Sequence, residues 1–282
     1  MLSVMGLYRL AAAAGFAPAQ AYLAEYYEQG NGVPQSYPEA ARLYRLAADQ
    51  GFVAAQVALG VLYENGRGVG QSIGEAARLY QLAANQGDAY ARYNLAQFYE
   101  HGRGVTQSYG DAARLYQLAA DQGLAPAQYA LGSLYLSGHG VTQSLTEAAR
   151  LYALAADQGY ADAQLDLGVL YEKGQGVVQS YSEAARLYQL AAAQDDAMAQ
   201  NNLGTLYASG RGVPQAYREA VRLFKLAADH GVALAQNNLG WAYEHGLGVA
   251  RSTPQAIAQY QAAARQGDSD AQDNLRRLNQ SW

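Results

Sequence analysis

Residues 53–88 read VAAQVALGVLYENGRGVGQSIGEAARLYQLAANQGD, and variants of this 36-residue stretch follow one another along the chain. Two glycine signals keep the variants in register. The first is one glycine per repeat, at Gly15, Gly51, Gly87, Gly123, Gly159, Gly231 and Gly267, with Asp195 at the remaining position. The second is a Gly-x-Gly-Val turn that recurs from Gly30 to Gly246. A fixed period of this length indicates an array of small helical or mixed units, each stacked on its neighbours.

Each unit contains two segments with helical periodicity. In the first, named helix A, Ala55, Leu59 and Leu62 share one face. In the second, named helix B, Leu79 and Tyr80 lie on the apolar stripe, and the glycine that follows suits a left-handed C-terminal cap. The pattern therefore predicts an all-α fold built from 36-residue helix-turn-helix repeats.

The start of helix B carries its own signal, a serine followed three residues later by an acidic residue or glutamine, which is a capping box or a close variant. The serines are Ser36, Ser72, Ser108, Ser144, Ser180 and Ser252. Ala216 breaks this rule in the sixth repeat, and we expect a helix start weaker by about 1 kcal/mol there. At Asp195 we expect a positive φ, because glycine occupies the equivalent position elsewhere.

Small residues and tyrosines recur at fixed places in the repeat. Glycines such as Gly60 on helix A predict a close approach of neighbouring helices. Tyrosine fills the remaining space, and its expected role is core packing, with aromatic ligand cages as the alternative. The helix B members are Tyr44, Tyr80, Tyr116, Tyr152 and Tyr188.

The repeats predict a single solenoid domain over residues 1–282. It consists of a lone helix B at 1–15, seven complete repeats at 16–267 and a lone capping helix A at 268–282. Arg276 and Arg277 give the last helix the polar face that a cap needs. The first helix lacks such polarity, which fits either a chain trimmed from a longer protein or a face buried in a dimer.

Composition excludes several functional classes. There are no cysteines, so thiolate metal sites and a cysteine nucleophile are excluded, while cytoplasm and bacterial periplasm both stay open as compartments. Lys and Arg total 19 against 24 Asp and Glu, a net charge of −5 that argues against nucleic acid as a partner. No apolar run approaches the roughly 20 residues of a membrane span, so no membrane association is expected.

These motifs resemble the Sel-one-like repeat (SLR) of the tetratricopeptide-like superfamily. That pattern runs approximately A-x-x-x-L-G-x-x-Y, G-x-G-V, E-A-x-x-W-Y and A-A-x-x-G, and the match covers nearly the whole chain. The chain departs from it where leucine, as in Leu79, replaces the tryptophan before the helix B tyrosine, and where serine replaces the usual acidic cap. The resemblance implies a right-handed alpha-solenoid (α/α superhelix) that works as a scaffold or adaptor for protein–protein interaction.

Candidate binding residues lie on helix A, which usually lines the concave surface of such a solenoid, at positions that vary between otherwise similar repeats. The alternative is sequence drift on a solvated face, but exposed aromatic residues would be unusual products of drift alone. The predicted binding residues are Tyr93, Asn94, Gln97, Tyr129, Ser133, Leu165, Val169, Asn201, Asn202, Thr205, Asn237, Asn238 and Trp241.

Related tetratricopeptide domains use a helix A asparagine to hold a peptide backbone or a terminal carboxylate, which the resemblance extends to Asn94, Asn202 and Asn238. The lysines of a carboxylate clamp are not evident, because the chain has only Lys173 and Lys225. An extended internal peptide is therefore the expected ligand.

A row of glutamates near the C-terminal ends of the A helices needs compensation, because the helix dipole disfavours negative charge there. Its members are Glu28, Glu64, Glu100, Glu172 and Glu244. One hypothesis pairs Glu64 with Arg67 and Glu100 with Arg103. The other is an acidic ridge that selects a Lys/Arg-rich partner.

Catalysis finds little support. Neither lysine follows a serine at the spacing of a Ser-x-x-Lys nucleophile, so a β-lactam-binding or hydrolysing activity, described for some Sel-one-like proteins, is only a remote alternative. His139 could approach His101 from the next repeat, but two histidines without a third ligand make a poor zinc site. We expect no enzyme activity, no metal and no cofactor. The main hypothesis is a protein- or peptide-binding scaffold, and its rival is an idealised or designed structural array without a natural ligand.

Overall fold

The computed structural model describes residues 4–282, which contain sixteen α-helices and no β-strand. This confirms the all-α class. The helices are α1 (Val4–Ala13), α2 (Ala17–Gln29), α3 (Tyr37–Asp49), α4 (Val53–Asn65), α5 (Ile73–Asn85), α6 (Ala89–His101), α7 (Tyr109–Ala120), α8 (Ala125–Ser137), α9 (Leu145–Asp157), α10 (Ala161–Lys173), α11 (Tyr181–Ala192), α12 (Ala197–Ser209), α13 (Tyr217–Asp229), α14 (Ala233–His245), α15 (Thr253–Arg265) and α16 (Ser269–Arg277). The chain forms two compact units, one with α1–α8 and the other with α9–α16.

Each A helix from α2 to α14 ends in a left-handed glycine. At the end of α4, Gly66 has φ 66° and its backbone N–H donates to the Leu62 carbonyl. The same turn closes the other A helices from α2 to α14. Asp195, which follows α11, has φ 64°. The expected positive φ at this position is confirmed, and a residue with a Cβ there carries backbone strain.

The B helices begin at the predicted serine caps. At α5, the Ser72 side chain accepts a hydrogen bond from the Glu75 backbone N–H, and the serines before α3, α7, α9, α11 and α15 do the same. Ala216 precedes α13 without a side-chain cap. One N-terminal N–H group of α13 therefore lacks the acceptor that the other six helices have.

The interior consists of alanine, leucine and the helix B aromatic ring. Tyr80 is completely buried, as are Leu62 and Ala76, so core packing of the helix B tyrosines is confirmed. A Cβ placed on Gly60 of α4 would lie 2.6 Å from Cε1 of Tyr80. Because contacts of this length are repulsive, glycine at this position lets the tyrosine ring lie flat against the helix A backbone.

A buried glutamine joins successive repeats. The Gln56 side chain at the start of α4 donates to the Ala48 carbonyl at the end of α3, at 3.3 Å, and accepts from Gln86 at 2.9 Å. In the sixth repeat His230 stands where Gln86 would be, and the side-chain oxygen of Gln200 is buried without a hydrogen-bond partner among the described residues. The sixth repeat thus lacks one of the polar contacts that its neighbours have.

Candidate functional site

The predicted row of glutamates forms hydrogen bonds inside the repeats. The Tyr80 hydroxyl donates to the Glu64 carboxylate at 3.0 Å. Burial raises the pKa of Tyr80, and the neighbouring carboxylate raises it further. The same pair, separated by sixteen residues, recurs at Tyr44–Glu28, Tyr116–Glu100, Tyr188–Glu172 and Tyr260–Glu244.

The arginines that we expected to neutralise these glutamates contact the preceding repeat instead. Arg103 forms a 3.1 Å ion pair with Glu64, not with Glu100, and the Arg67 guanidinium lies 5.7 Å from the centre of the Tyr37 ring. The predicted Glu64–Arg67 and Glu100–Arg103 pairs are therefore wrong. The reason is the direction of the Gly-x-Gly turn, whose Gly68 lies against the backbone of Tyr37. With tyrosine and arginine bonded to the carboxylates, the structure also gives no support to a free acidic ridge.

The sixth repeat lacks this tyrosine–glutamate bond. Phe224 stands in place of the tyrosine and Ala208 in place of the glutamate. A Cβ on Gly204 would lie 2.7 Å from Cε1 of Phe224, so the phenylalanine ring keeps the position of the tyrosine ring. The two changes remove a hydroxyl and its acceptor together and leave an apolar surface.

A groove of about 370 Å³ opens at this place in the second unit, within the ~300–1,000 Å³ range of small ligand sites. It is lined by Thr205, Ala208, Ser209, Phe224, Asn237, Asn238 and Trp241. Four of these, Thr205, Asn237, Asn238 and Trp241, are predicted binding residues. Ala208, Ser209 and Phe224 are not among the predicted residues, although the loss of the glutamate at position 208 and of the tyrosine hydroxyl at position 224 is visible in the sequence.

Trp241 is exposed to 41%, as expected of a contact residue. Its indole ring lies against His245, with ring centres 4.7 Å apart, and the Nδ1 atom of His245 is 2.9 Å from the Trp241 carbonyl oxygen. The histidine therefore covers one side of the indole. Trp241 also lines the groove.

Asparagines of the second unit form a ladder along successive A helices. The Asn238 amide donates to Asn201 at 3.0 Å, and the Asn274 amide donates to Asn237 at 3.1 Å. Asn201 is only 4% exposed. The side chain of Asn201, one of the predicted binding residues, is therefore buried and bonded to Asn202 and Asn238. Thr205 lies one turn further along, and its hydroxyl donates to the Asn201 carbonyl at 3.1 Å.

The remaining predicted residues of the second unit lie outside the groove. Leu165 and Val169 of α10 are half-buried and pack on the core around Tyr188 and Leu203. Asn202 bonds the Tyr188 hydroxyl and lowers its pKa, opposing part of the rise that burial causes. These three positions support the core more than they form a surface.

In the first unit, α6 carries three of the predicted residues. The Tyr93 ring packs against Tyr116 with ring centres 5.7 Å apart and planes inclined at 48°, and its hydroxyl accepts a 3.0 Å hydrogen bond from Gln97. Asn94 bonds the Tyr80 hydroxyl, as Asn202 does with Tyr188. Tyr93 was expected to be exposed but is half-buried, because the ring of Tyr116 covers it.

Tyr129 and Ser133 lie one turn apart on α8. Tyr129 is half-buried as well, so its expected exposure is also wrong, and the Ser133 hydroxyl donates to the Tyr129 carbonyl at 3.2 Å. The contacts of the first unit thus join Tyr93 to Gln97 on α6 and Tyr129 to Ser133 on α8.

The described part of the chain shows neither a metal-binding cluster of side chains nor a membrane-spanning helix. His139 stacks on Tyr109, with ring centres 4.8 Å apart, instead of approaching His101. Within residues 4–282, no group of three or more His, Asp or Glu side chains could hold a metal ion. In the same range no helix has the length and apolar character needed to span a bilayer.

Comparison with known proteins identifies the repeat. The model of the Sel1 repeat matches seven consecutive segments, residues 17–52, 53–88, 89–124, 125–160, 161–196, 197–232 and 233–268. Among solved structures, a protective antigen of uropathogenic Escherichia coli that displays an SLR fold aligns with a TM-score of 0.92 and 34% identity over 98% of this chain and 59% of its own. The chain thus spans less than two thirds of that relative.

A Sel1 repeat protein from Oxalobacter formigenes aligns with a TM-score of 0.75 and 33% identity, over 97% of this chain and 79% of its own. No curated protein sequence matches the chain. The seven matched segments and the two SLR neighbours confirm the predicted repeat type and solenoid class.

Proposed function

Because this chain belongs to the Sel1 repeat family, whose members are generally non-enzymatic scaffolds, we propose that it is a non-catalytic protein- or peptide-binding scaffold. Its principal contact is the groove beside Trp241, named the Trp241 groove. Family membership supports the general role in protein interaction. The groove supplies the specific hypothesis, namely that an extended segment of a partner protein lies along the A helices of the sixth and seventh repeats.

The observation that carries this proposal is the combination of an apolar floor with polar edges. Phe224 and Trp241 offer aromatic surface for an apolar side chain, and such buried aromatic anchors contribute most to binding energy. Asn238 has one donor engaged by Asn201 and keeps further hydrogen-bonding capacity, since an amide offers two donors and two acceptor lone pairs. Asn238 and Ser209 can therefore bond the backbone of an extended peptide.

The position of the Trp241 groove at the sixth repeat also supports a binding role. The sixth repeat has neither the tyrosine–glutamate bond nor the serine cap, and the side-chain oxygen of its Gln200 has no hydrogen-bond partner among residues 4–282. Regions that bind ligands are often the less stable parts of a fold. A repeat whose surface binds a partner is expected to lose some contacts that only stabilise the fold.

The lysine content and the net charge of the chain narrow the class of partner. The chain has two lysines, and neither lies in the groove, so an internal segment of a partner suits it better than a terminal carboxylate. A net charge of −5 favours a partner with Lys or Arg beside the bound segment, which would raise the association rate more than the affinity.

The test is selection of peptides from a random phage-displayed library on the intact chain, followed by titration of the enriched peptides against two tryptophan variants. Trp241→Ala removes the anchor. Trp282→Ala is the matched control, because Trp282 is exposed to a similar degree, 46%. We expect binding to weaken at least about tenfold in Trp241→Ala, as for an aromatic hot spot, and to stay unchanged in Trp282→Ala.

Two results would contradict the proposal in different ways. Peptides that bind Trp241→Ala and Asn238→Ala as tightly as the intact chain would place the binding surface elsewhere. A library from which nothing is enriched would favour the rival hypothesis, a structural array without a ligand.

A further inference from the structure

A second concave site lies in the first unit, between α1 and α2. It has a volume of about 320 Å³ and is lined by Tyr8, Tyr22, Glu25, Tyr26, Gln29 and Asn31. The Tyr8 ring centre is 5.6 Å from that of Tyr22 and 6.0 Å from that of Tyr26, and the rings are inclined at 41° and 42°. Three inclined rings around a hollow form a cup, named the tyrosine cup.

A carboxylate is held at the edge of the tyrosine cup. The Gln29 side chain donates to Glu25 at 2.9 Å, and the Asn31 side chain donates to Gln29 at 2.6 Å. This short relay orients the carboxylate while leaving its second oxygen to another donor. The cup therefore combines three aromatic surfaces with one negative charge.

Two rings of the tyrosine cup, Tyr22 and Tyr26, are particular to the first repeat. Tyr8 lies on α1, ahead of that repeat, and corresponds in register to the buried Tyr44. No other repeat has an aromatic residue in the place of Tyr22, and only one has an aromatic residue in the place of Tyr26. In the next three repeats those places hold Ala58, Asn94 and Ala130, and Leu62, Phe98 and Leu134.

Elsewhere the chain covers tyrosine rings with its own cations. Arg45 lies 5.7 Å from the centre of the Tyr63 ring, and Lys225 lies 5.8 Å from that of Tyr243. Within residues 4–282, none of the six cation–ring contacts involves a ring of the tyrosine cup. The cup is thus a site suited to a cation that this part of the chain does not supply.

We propose that the tyrosine cup binds an alkylammonium group. Aromatic faces attract cations through the ring quadrupole, and several rings around one hollow are the usual site for quaternary ammonium ligands. The Glu25 carboxylate adds direct charge attraction. A rounded ammonium head meets three inclined faces at once, whereas a planar guanidinium stacks best on parallel ones. The group belongs either to a free amine such as choline or to a lysine side chain, unmodified or methylated, of a bound peptide.

The test is titration of the whole chain with four small probes, followed by NMR of the tyrosine ring protons. The probes are choline, N-acetyl-lysine methylamide, its trimethyl-lysine analogue and the neutral N-acetyl-norleucine methylamide. We expect saturable binding of the charged probes and none of the neutral one. Tighter binding of choline would identify a free amine as the source, and tighter binding of a lysine probe would identify a peptide side chain.

Substitutions then locate the site. Tyr22→Leu should weaken binding by about fivefold, the size expected for one partly exposed cation–π contact. Glu25→Gln should weaken it by about two- to fivefold, because it removes an exposed charge attraction. Tyr22→Phe should retain binding of the charged probes, because the face of the aromatic ring remains. Tyr90→Leu is the matched control, since Tyr90 is an exposed tyrosine of the same unit.

Equal binding of the norleucine probe, or unchanged affinity in both Tyr22→Leu and Glu25→Gln, would overturn the proposal. The tyrosine cup and the Trp241 groove lie in different units, so each can fail alone. Trp241→Ala must leave binding of the charged probes unchanged.

Discussion

The Tyr80 hydroxyl donates a 3.0 Å hydrogen bond to Glu64, sixteen residues earlier and on the other helix of the same repeat. This contact resolves two problems together. A buried hydroxyl needs an acceptor, and a carboxylate near the C-terminal end of a helix needs a donor to offset the helix dipole. The hydroxyl and the carboxylate thus satisfy each other's hydrogen-bonding requirement.

The energetic link between these two side chains can be measured directly. Tyr80→Phe and Glu64→Ala should each lower the free energy of unfolding by about 1 kcal/mol, because each removes one hydrogen bond while Glu64 keeps Arg103 and Tyr80 keeps Asn94. The double variant should lose less than the sum, since the shared bond can be lost only once. Urea unfolding followed by circular dichroism gives all three values, and strict additivity would show that the bond contributes nothing of its own.

Alkaline pH should destabilise the fold through these tyrosines. Burial raises the pKa of Tyr44, Tyr80, Tyr116, Tyr188 and Tyr260 in the native state. Their contribution is fully present below the unfolded tyrosine pKa of about 10 and is lost as the pH rises above it, because the unfolded chain then releases protons that the native chain retains. Each tyrosine should add about 1.4 kcal/mol per pH unit to this loss.

The measurement is the urea midpoint as a function of pH, from neutral to above the ordinary tyrosine pKa. Tyr80→Phe should reduce the alkaline slope by the share of one tyrosine. A slope that is unchanged in this variant, or a midpoint that stays constant through the titration of exposed tyrosines, would contradict the prediction.

The missing cap in the sixth repeat offers a stabilising substitution. Ala216→Ser restores the acceptor that precedes the other six complete B helices, and it should raise stability by about 1 kcal/mol. Ser180→Ala should have the opposite effect, because Ser180 accepts from the Glu183 N–H at 3.2 Å. Hydrogen exchange of the first turn of α13 should slow in Ala216→Ser, and an unchanged rate would mean that solvent already satisfies this helix end.

A two-pronged ion pair connects the last helix to α14. The two terminal guanidinium nitrogens of Arg277, Nη1 and Nη2, lie 2.7 Å from the carboxylate oxygens of Glu244, which also accepts from Tyr260. Arg277→Ala should cost about 1–2 kcal/mol, less than for a fully buried pair because Arg277 is half exposed. Arg276→Ala removes an exposed pair with Asp273 and should cost under about 0.5 kcal/mol. Equal losses in the two variants would refute this distinction.

Acid titration provides a second measure of the same ion pair. The hydrogen bond from Arg277 lowers the pKa of Glu244 below its ordinary value. Its contribution is present above the unfolded glutamate pKa of about 4.3 and is lost as the pH falls through the lower native value. The stability difference between the intact chain and Arg277→Ala should therefore shrink in acid.

Local features of the fold could be predicted because they depend on residues close in sequence. The glycine period, the serine caps and the positive φ of Asp195 each follow from the conformation that one residue type prefers. Every repeat presents the same signal again, so an error in one repeat is corrected by the next. Helix existence and order were consequently readable from the sequence.

The candidate site was only partly predictable because it depends on the orientation of side chains between helices. Sequence spacing places Asn201 and Thr205 on one face, but only the packed structure shows that Asn201 is enclosed while Thr205 lines the groove. The partner of Arg103 was missed for a similar reason, since the turn directs it to the preceding repeat. The joint change at Ala208 and Phe224 was the one signal available, and comparison of repeats with each other would have found it.

The tyrosine–glutamate bond also affects how such repeat chains can evolve. Tyr80 and Glu64 lie within one 36-residue segment, residues 53–88, so a gene segment of that length encodes both partners. Duplication or deletion of a whole segment therefore adds or removes a donor together with its acceptor. Neither group is left in the interior without its partner. Chain length can change by recombination in steps of one segment. A point substitution instead separates the two partners, as in the fourth repeat, where Leu136 replaces the glutamate and Tyr152 keeps its hydroxyl.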